Sequence, residues 1–455
     1  MKILVPEFGF SAGTETVLLK VLPRWAEGRY EVVLAAPAFP IKRFNHRKLD
    51  ARIGRIEWGS SNGGWRRGMR RLESKNQSQF LRKMGLRDQA RRSGATHVFV
   101  PWVVNEPVVD FGLPTGVMVM DLAWRHDPTG WFDQSVEKLD ETLRNWICSA
   151  EIAFPVSDST AIEVKSVFSG IGEKLCVMLR GAEPRIQRQQ EPQNKCAVFL
   201  TPASMTPNKG HLALLTAAIQ LWKEGLDFTL IWMGSRSREV VTSEQIAAEE
   251  LSELQVLYRK NKLLISGRLD ARGFVSYDEL EHLYEKADRV ISPSTYEGFG
   301  LPILEALARG VRVIFSDIAT FTEQAKRYDM EPMVSWVRLG ESGALMEAIR
   351  TVWGEIKNAT KGVRKTAVKF RPEIWDWSAA AELYANTLRG VMRILTVKNH
   401  YQLGGAETVA RQLHEGALKA GHDARVFRKN DGRILSENLR TSGRWMGRAL
   451  NLVEQ

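Results

Sequence analysis

A chain of 455 residues with 44% hydrophobic content has room for two or three globular domains of about 150 residues each. No apolar run approaches the roughly 18 residues needed to span a bilayer, and the opening MKILVPEFGF is too briefly apolar for a signal peptide. The net charge of +11 is concentrated. Residues 41–95 hold sixteen Lys and Arg against four Asp and Glu, which leaves the rest of the chain close to neutral.

In chain order, KILVPEF (2–8) reads as a strand and TETVLLKVLPRWAEG (14–28) has helical spacing. YEVVLAAP (30–37), THVFVPW (96–102), GVMVMDLAW (116–124) and EIAFPVS (151–157) read as further strands. The polar run PRIQRQQEPQNK (184–195) is a linker candidate. After it the alternation resumes. Strand candidates are CAVFLTP (196–202), FTLIWMG (228–234), KLLISG (262–267), RVISPS (289–294) and VRVIFSD (311–317). Helix candidates are HLALLTAAIQLWKEG (211–225), SYDELEHLYEKA (276–287) and PILEALARG (302–310). Strands alternating with helices argue for parallel sheets covered on both faces. Two such units in tandem imply an α/β chain of two doubly wound domains facing a cleft, over 1–185 and 186–374. WDWSAAAELYANTLRG, closing at 390, reads as a helix.

An internal repeat follows. KILVPEFGFSAGTETVLLKVL (2–22) and RILTVKNHYQLGGAETVARQL (393–413) share a strand, a glycine-bearing loop and a Gly-x-Glu-Thr-Val helix start. GHDARVF (421–427) then reads as another strand. Residues 391–455 are therefore expected to begin a second domain of the first type, a partial third β-α-β unit with a poorly packed end at 431–455. A C-terminal extension docked on the body is the alternative.

The stretch YEGFGLPILE (296–305) carries the most chemistry. Two carboxylates, Glu297 and Glu305, flank a Gly298-Phe299-Gly300 turn that leads through Leu301 and Pro302 into a helix. Glycines let backbone approach a ligand. A helix start favours phosphate. Ionised carboxylates only accept hydrogen bonds, which suits paired sugar hydroxyls. Together they point to a site for a sugar attached to a diphosphate; helix-start carboxylates that merely complement the dipole are the plain alternative.

This segment resembles the Glu-x7-Glu signature of the retaining glycosyltransferases of family 4 (group 1), which have the GT-B fold. GFVSYDELEHLYEKADRVISPSTYEGFGLPILEALARGVRVIFSD (273–317) follows the family pattern almost without a break, and VSDSTAIEVKSVFSGIGEKLCVMLRGAEP (156–184) and LTPASMTPNKGHLALLTAA (200–218) resemble further family segments. The resemblance spans residues 1–390. It implies that Lys209 neutralises the donor diphosphate, Glu297 contacts the hexose, Glu305 meets the ribose hydroxyls, and a terminal helix over 375–390 crosses back to the first domain. Where the family places an arginine before this lysine, the chain has Ser204 and Asn208. Arg268 is the candidate replacement. Asp121 matches the aspartate of a family His-Asp pair, with Met120 at the histidine position, and His126 nearby reads as a surface residue. The glycine loop around Gly13 would bring backbone amides of the first domain toward donor or acceptor.

The function implied is a hexosyltransferase using a nucleoside-diphosphate sugar and no cofactor. No Asp-x-Asp pair stands at a strand end to hold a divalent metal, so metal-independence is expected. Its acceptor is expected to be a glycan, lipid-linked or at the cell surface. A nucleotide-sugar epimerase, a phosphorylase and a donor-binding protein without turnover are the alternatives. Three cysteines (Cys148, Cys176, Cys196) with no pair or metal spacing fit a reduced, cytoplasmic setting. The arginines of 41–95, interleaved with aromatic and apolar residues, suit an anionic membrane surface, hence a peripheral location on the inner face of the cytoplasmic membrane. A solvated basic face is the alternative. No nucleic-acid motif accompanies the charge, and nucleic acid is not an expected partner.

Overall fold

The computed structural model describes residues 1–6, 12–28, 30–37, 51–58, 85–101, 103–104, 106–127, 134–178, 196–243, 249–358 and 377–390, with three strands beyond them. The first sheet comprises β1 (Lys2–Pro6), β2 (Glu31–Pro37), β3 (Gly54–Trp58), β4 (His97–Val100), β5 (Thr115–Val119) and β6 (Ile152–Pro155). Its order is β3-β2-β1-β4-β5-β6, every pair parallel. The second comprises β7 (Ala197–Pro202), β8 (Phe228–Met233), β9 (Leu269–Ala271), β10 (Arg289–Ser292), β11 (Val313–Ser316) and β12 (Val334–Val337). Its order is β12-β11-β10-β7-β8-β9, again all parallel. The central strands are apolar and buried along nearly their whole length, as sheets covered on both faces require. Each sheet thus repeats one doubly wound order. Its direction of winding reverses between β1 and β4 in the first and between β7 and β10 in the second, the places where such sheets open a crevice at their carboxyl edge. The chain has the GT-B architecture of two Rossmann-like domains.

The first helix, α1 (Ala12–Glu27), carries Leu18, Val21, Leu22 and Trp25 into the core. The C-terminal helix α7 (Trp377–Gly390) packs against it. Trp25 Nε1 donates to the carbonyl of Ala381 at 2.6 Å, and Tyr384 Oη donates to the carbonyl of Met178 at 3.1 Å. Tyr384 also meets Phe99 and Phe154 edge-on. A helix that follows the second domain in sequence is thereby built into the core of the first.

One expectation is corrected. Lys262–Ile265, expected as a strand, is a single helical turn, and the edge strand β9 forms after it at Leu269–Ala271. A four-residue apolar run does not distinguish the two states, and Leu263 is almost fully exposed, so no sheet face claims the run. Strands β3 and β12 were not anticipated. In the C-terminal part, β13 (Arg393–Lys398) and β14 (Asp423–Asn430) pair in parallel, as a β-α-β start requires, and β15 (Arg433–Leu435) adds antiparallel to β14. The helix expected between β13 and β14 lies outside the described residues. So do residues 41–50 and 59–84 of the basic region.

Candidate functional site

The loops leaving β7 and β10 meet at the switch point of the second sheet. After β7 the chain turns through Ser204 into a short 3₁₀ turn, Pro207–Lys209, and then into helix α3 (His211–Lys223). After β10 it passes Tyr296 and Glu297 to helix α5 (Leu301–Ala308). Asn208 ties the two loops together. Its side-chain amide donates to the carbonyl of Tyr296 at 3.0 Å, and its own carbonyl accepts from the Thr295 amide at 2.8 Å. That staple brings Lys209 Nζ to within 2.6 Å of Glu297 Oε1. Ser294 Oγ donates to the same oxygen at 3.0 Å, and Thr320 Oγ1 donates to the Glu297 backbone carbonyl at 2.7 Å. The Lys209 and Glu297 side chains are 20% and 9% exposed. An ion pair so far out of water is costly unless further hydrogen bonds hold it, and Ser294 supplies one.

The first domain closes over this pair. A Cβ added at Gly298 would stand 2.0 Å from the Met120 carbonyl oxygen and 2.8 Å from Asp121 Cβ, so only glycine admits the contact. The Gly298 carbonyl accepts from Ser157 Oγ at 2.6 Å and Thr160 Oγ1 at 3.0 Å, both at the start of helix α2 (Asp158–Val167). Tyr296 reaches into the first domain. Its hydroxyl accepts from the Leu122 amide and donates to Glu163, each at 2.8 Å. Its ring stacks on His126 with centroids 4.1 Å apart, and His126 Nε2 lies 2.6 Å from the other Glu163 oxygen. Burial, reinforced by Asp121 and Glu163, pushes the Tyr296 phenol far above its usual range, so it remains a donor. On helix α6 (Ala319–Arg327), Glu323 caps α2 through the amides of Asp158 and Ser159, at 3.0 and 2.8 Å. Arg327 of the same helix pairs with Asp158 and Glu323.

Gly300 takes the left-handed conformation (φ 80°) that turns the chain into α5, with Leu301 and Pro302 in the first turn. The first amides of such a helix have no intrahelical partner. Glu305 stands one turn further in. Its Oε2 accepts from Tyr284 Oη at 3.1 Å. Burial raises its pKa above the usual carboxylate value, while Arg309, Tyr284 and, from α1 of the first domain, Lys20 draw it down.

The structure therefore brings Lys209, Glu297, Gly298, Gly300, Leu301 and Ser204 together at the carboxyl edge of the second sheet, with Asp121 of the first domain against them at Gly298. Three expected residues are revised. Arg268 precedes β9, at the amino edge of a parallel sheet whose carboxyl edge holds Lys209, and its guanidinium donates to the carbonyl of Leu264 at 3.0 Å. It is not in the crevice. The Phe299 ring is buried in the core, because an apolar ring at a helix start is drawn under the helix. Only its backbone is left for a ligand. Gly13 sits in the first turn of α1, not in a loop, and residues 7–11 before it lie outside the described residues. Asp121 accepts the Ala123 amide at 3.0 Å and so shapes its own turn. His126, expected at the surface, is exposed yet stacked on Tyr296. The interdomain roles of Tyr296 and Glu163 left no signal in the sequence, because both depend on contacts more than 130 residues apart.

Residues 183–350 match the family described as glycosyl transferases group 1. The serotype-specific mannosyltransferase WbdA of Escherichia coli is 31% identical over 144 residues, 32% of this chain and 16% of its own length. The O-antigen chain mannosyltransferase RfbU of Salmonella typhimurium is 51% identical over 93 residues, 20% of this chain and 25% of its own. The chain thus spans under a third of either relative. Among solved structures, HepE of Anabaena, in complex with UDP and glucose, is 16% identical with a TM-score of 0.62, covering 86% of this chain and 99% of its own. Sucrose-phosphate synthase of Thermosynechococcus elongatus is 15% identical with a TM-score of 0.62, covering 86% and 98%. At these identities the structures establish the fold.

Proposed function

We propose, from the match of residues 183–350 to the glycosyl transferases group 1 family, that the chain moves a hexose from a nucleoside-diphosphate sugar to a hydroxyl acceptor. The observation that carries this reading is the Lys209–Glu297 pair at the switch point, facing the Met120–Asp121 turn of the other domain. A fixed cation there stabilises the charge that grows on a departing diphosphate. The amides at the mouth of α5 add donors of the same sign. Glu297, with one oxygen on Lys209, accepts hexose hydroxyls, and Asp121 faces the sugar from the first domain. Glu305 takes the ribose.

In this reading transfer retains the anomeric configuration. The acceptor oxygen bonds to the anomeric carbon on the face that the diphosphate leaves, the carbon–phosphate oxygen bond breaks, and the leaving diphosphate oxygen takes the acceptor's proton. No separate pair of acid and base carboxylates is needed, unlike a glycoside hydrolase. Lys209 and the amides meet the diphosphate charge without a divalent ion. The names of the relatives favour a mannose-like or glucose-like hexose and a surface-glycan acceptor. The basic region 41–95 would hold the protein at an anionic membrane carrying a lipid-linked acceptor. Partitioning to anionic vesicles in preference to neutral ones at low salt checks that part.

A second reading is a donor-binding protein without turnover. Met120 favours it, since its side chain packs against the core and offers no polar group to the sugar. One assay separates the readings. The protein is incubated with UDP-, GDP- and ADP-hexoses and a panel of glycoside acceptors, and product is identified by mass spectrometry. Transfer with net retention supports the proposal. Donor binding without product supports the second reading, and a changed sugar nucleotide without acceptor supports an epimerase.

A further inference from the structure

Glu305 is locked from behind in a way the family signature does not spell out. Tyr284 and Glu281 lie one turn apart on helix α4 (Tyr277–Lys286), and Glu305 and Arg309 lie one turn apart along α5 and its end. The four close a ring. Tyr284 Oη donates to Glu305 Oε2 at 3.1 Å. The Arg309 guanidinium sits 4.4 Å over the Tyr284 ring, donates to the Glu305 carbonyl at 2.7 Å, and grips Glu281 twice, at 3.1 and 2.6 Å. Tyr284 is 1% exposed, whereas Glu305 keeps part of its surface open. Apolar side chains would join two helices at lower desolvation cost. A buried phenol and a largely buried guanidinium arranged around one partly exposed glutamate instead fit the task of aiming its carboxylate.

We propose that Tyr284 is a positioning residue for the donor, holding Glu305 by one oxygen so that the other is aimed at the ribose hydroxyls, with Arg309 bracing the tyrosine ring. The proposal rests on the reading that Glu305 meets the ribose. Only an ionised carboxylate accepts both hydroxyls. Of the groups facing Glu305, Arg309 beside it, Tyr284 on α4 and Lys20 on α1 favour the ionised form, while burial and Glu281 oppose it. Ribose-dependent binding is therefore present above the Glu305 pKa and lost as pH falls through it. Removing the Tyr284 hydroxyl moves that loss to higher pH.

The test measures binding of UDP, GDP and ADP by calorimetry, each against its 2′,3′-dideoxy counterpart, from pH 5 to 8. Wild type should prefer the ribonucleotide, and Glu305→Ala should erase the preference. Tyr284→Phe should weaken ribonucleotide binding about tenfold, leave the dideoxy analogue unchanged, and raise the pH at which the preference disappears. Arg309→Gln, which keeps a donor for the Glu305 carbonyl but removes the charge, should raise that pH without the full loss of affinity. It also serves as the second route should Tyr284→Phe fail to fold. If wild type shows no ribose preference, the reading of Glu305 fails. If wild type and Glu305→Ala behave as stated but both other variants keep the wild-type preference and pH profile, Tyr284 is only a structural lock and the proposal is overturned.

Discussion

Gly298→Ala is the perturbation most closely fixed by the geometry. The new methyl would lie 2.0 Å from the Met120 carbonyl oxygen and 2.8 Å from Asp121 Cβ. An ordinary contact to oxygen is about 3.4 Å, so the two loops must part by roughly 1.4 Å, a well-packed contact opened by an added carbon. Overpacking of this kind costs about 1–3 kcal/mol. The backbone at Gly298 also holds Ser157 and Thr160 through its carbonyl, so the displacement strains those bonds too. The larger effect falls on alignment. Asp121 and Glu297 sit on the two loops that are pushed apart, and a misplacement of about 1 Å can lower turnover by two orders of magnitude. Thermal melting and kcat/KM for hexose transfer are measured together, with Gly354→Ala as control. Gly354 lies in a helix with nothing within 4 Å of its added Cβ, so that change should be neutral or stabilising by up to about 1 kcal/mol. Gly298→Ala should melt lower and lose about a hundredfold in kcat/KM. A Gly298→Ala protein with wild-type melting and wild-type turnover would refute the interdomain contact.

Three further outcomes are expected. Tyr296→Phe strands the Leu122 amide and one Glu163 oxygen, and should cost about 1–3 kcal/mol in denaturant unfolding while the His126 stack remains. Lys209→Ala leaves a largely buried Glu297 without its cation, and should weaken nucleoside-diphosphate binding at least tenfold, with Lys209→Arg recovering part of it. His211 sits buried beside Trp232, with neither ring nitrogen hydrogen-bonded among the described residues, and burial with nearby Lys209 lowers its pKa to about 3. The folded state therefore binds fewer protons than the unfolded state between pH 6.5 and 3, and stability falls as pH drops through that window, by at most roughly 5 kcal/mol. His211→Leu should flatten that acid limb, as read from unfolding midpoints between pH 3 and 7.

The fold was legible wherever strands are apolar and buried on both faces. KILVP and VIFS announce themselves because parallel sheets leave no polar alternation to confuse. The edge strand β9, only Leu-Asp-Ala, carries no such pattern, and the apolar Lys262–Ile265 run beside it drew the assignment away. At the site, Glu297 stood out in the sequence beside its glycine turn and Lys209 through the family resemblance; each follows a strand of the same sheet at its carboxyl edge. Arg268 was misplaced because sequence order does not say at which edge of a sheet a residue lies; it precedes its strand, whereas Lys209 follows one. Phe299 was misjudged since a ring beside a glycine turn can point to ligand or to core, and only packing under α5 decides. Tyr296, His126 and Glu163 form their contacts between domains, where no local period reports them. Asn208, read as a missing arginine, proves to be the staple between the two site loops.

The central claim is that the Lys209–Glu297 pair grips an activated sugar at the mouth of α5. Its most direct test is a crystal structure of the whole chain with the nucleoside-diphosphate hexose that binds tightest. The account predicts diphosphate oxygens within hydrogen-bond reach of Lys209 Nζ and the Gly300–Leu301 amides, with the hexose between Glu297 and Asp121. A donor bound elsewhere, with Lys209 still on Glu297 and no phosphate beside it, would contradict it.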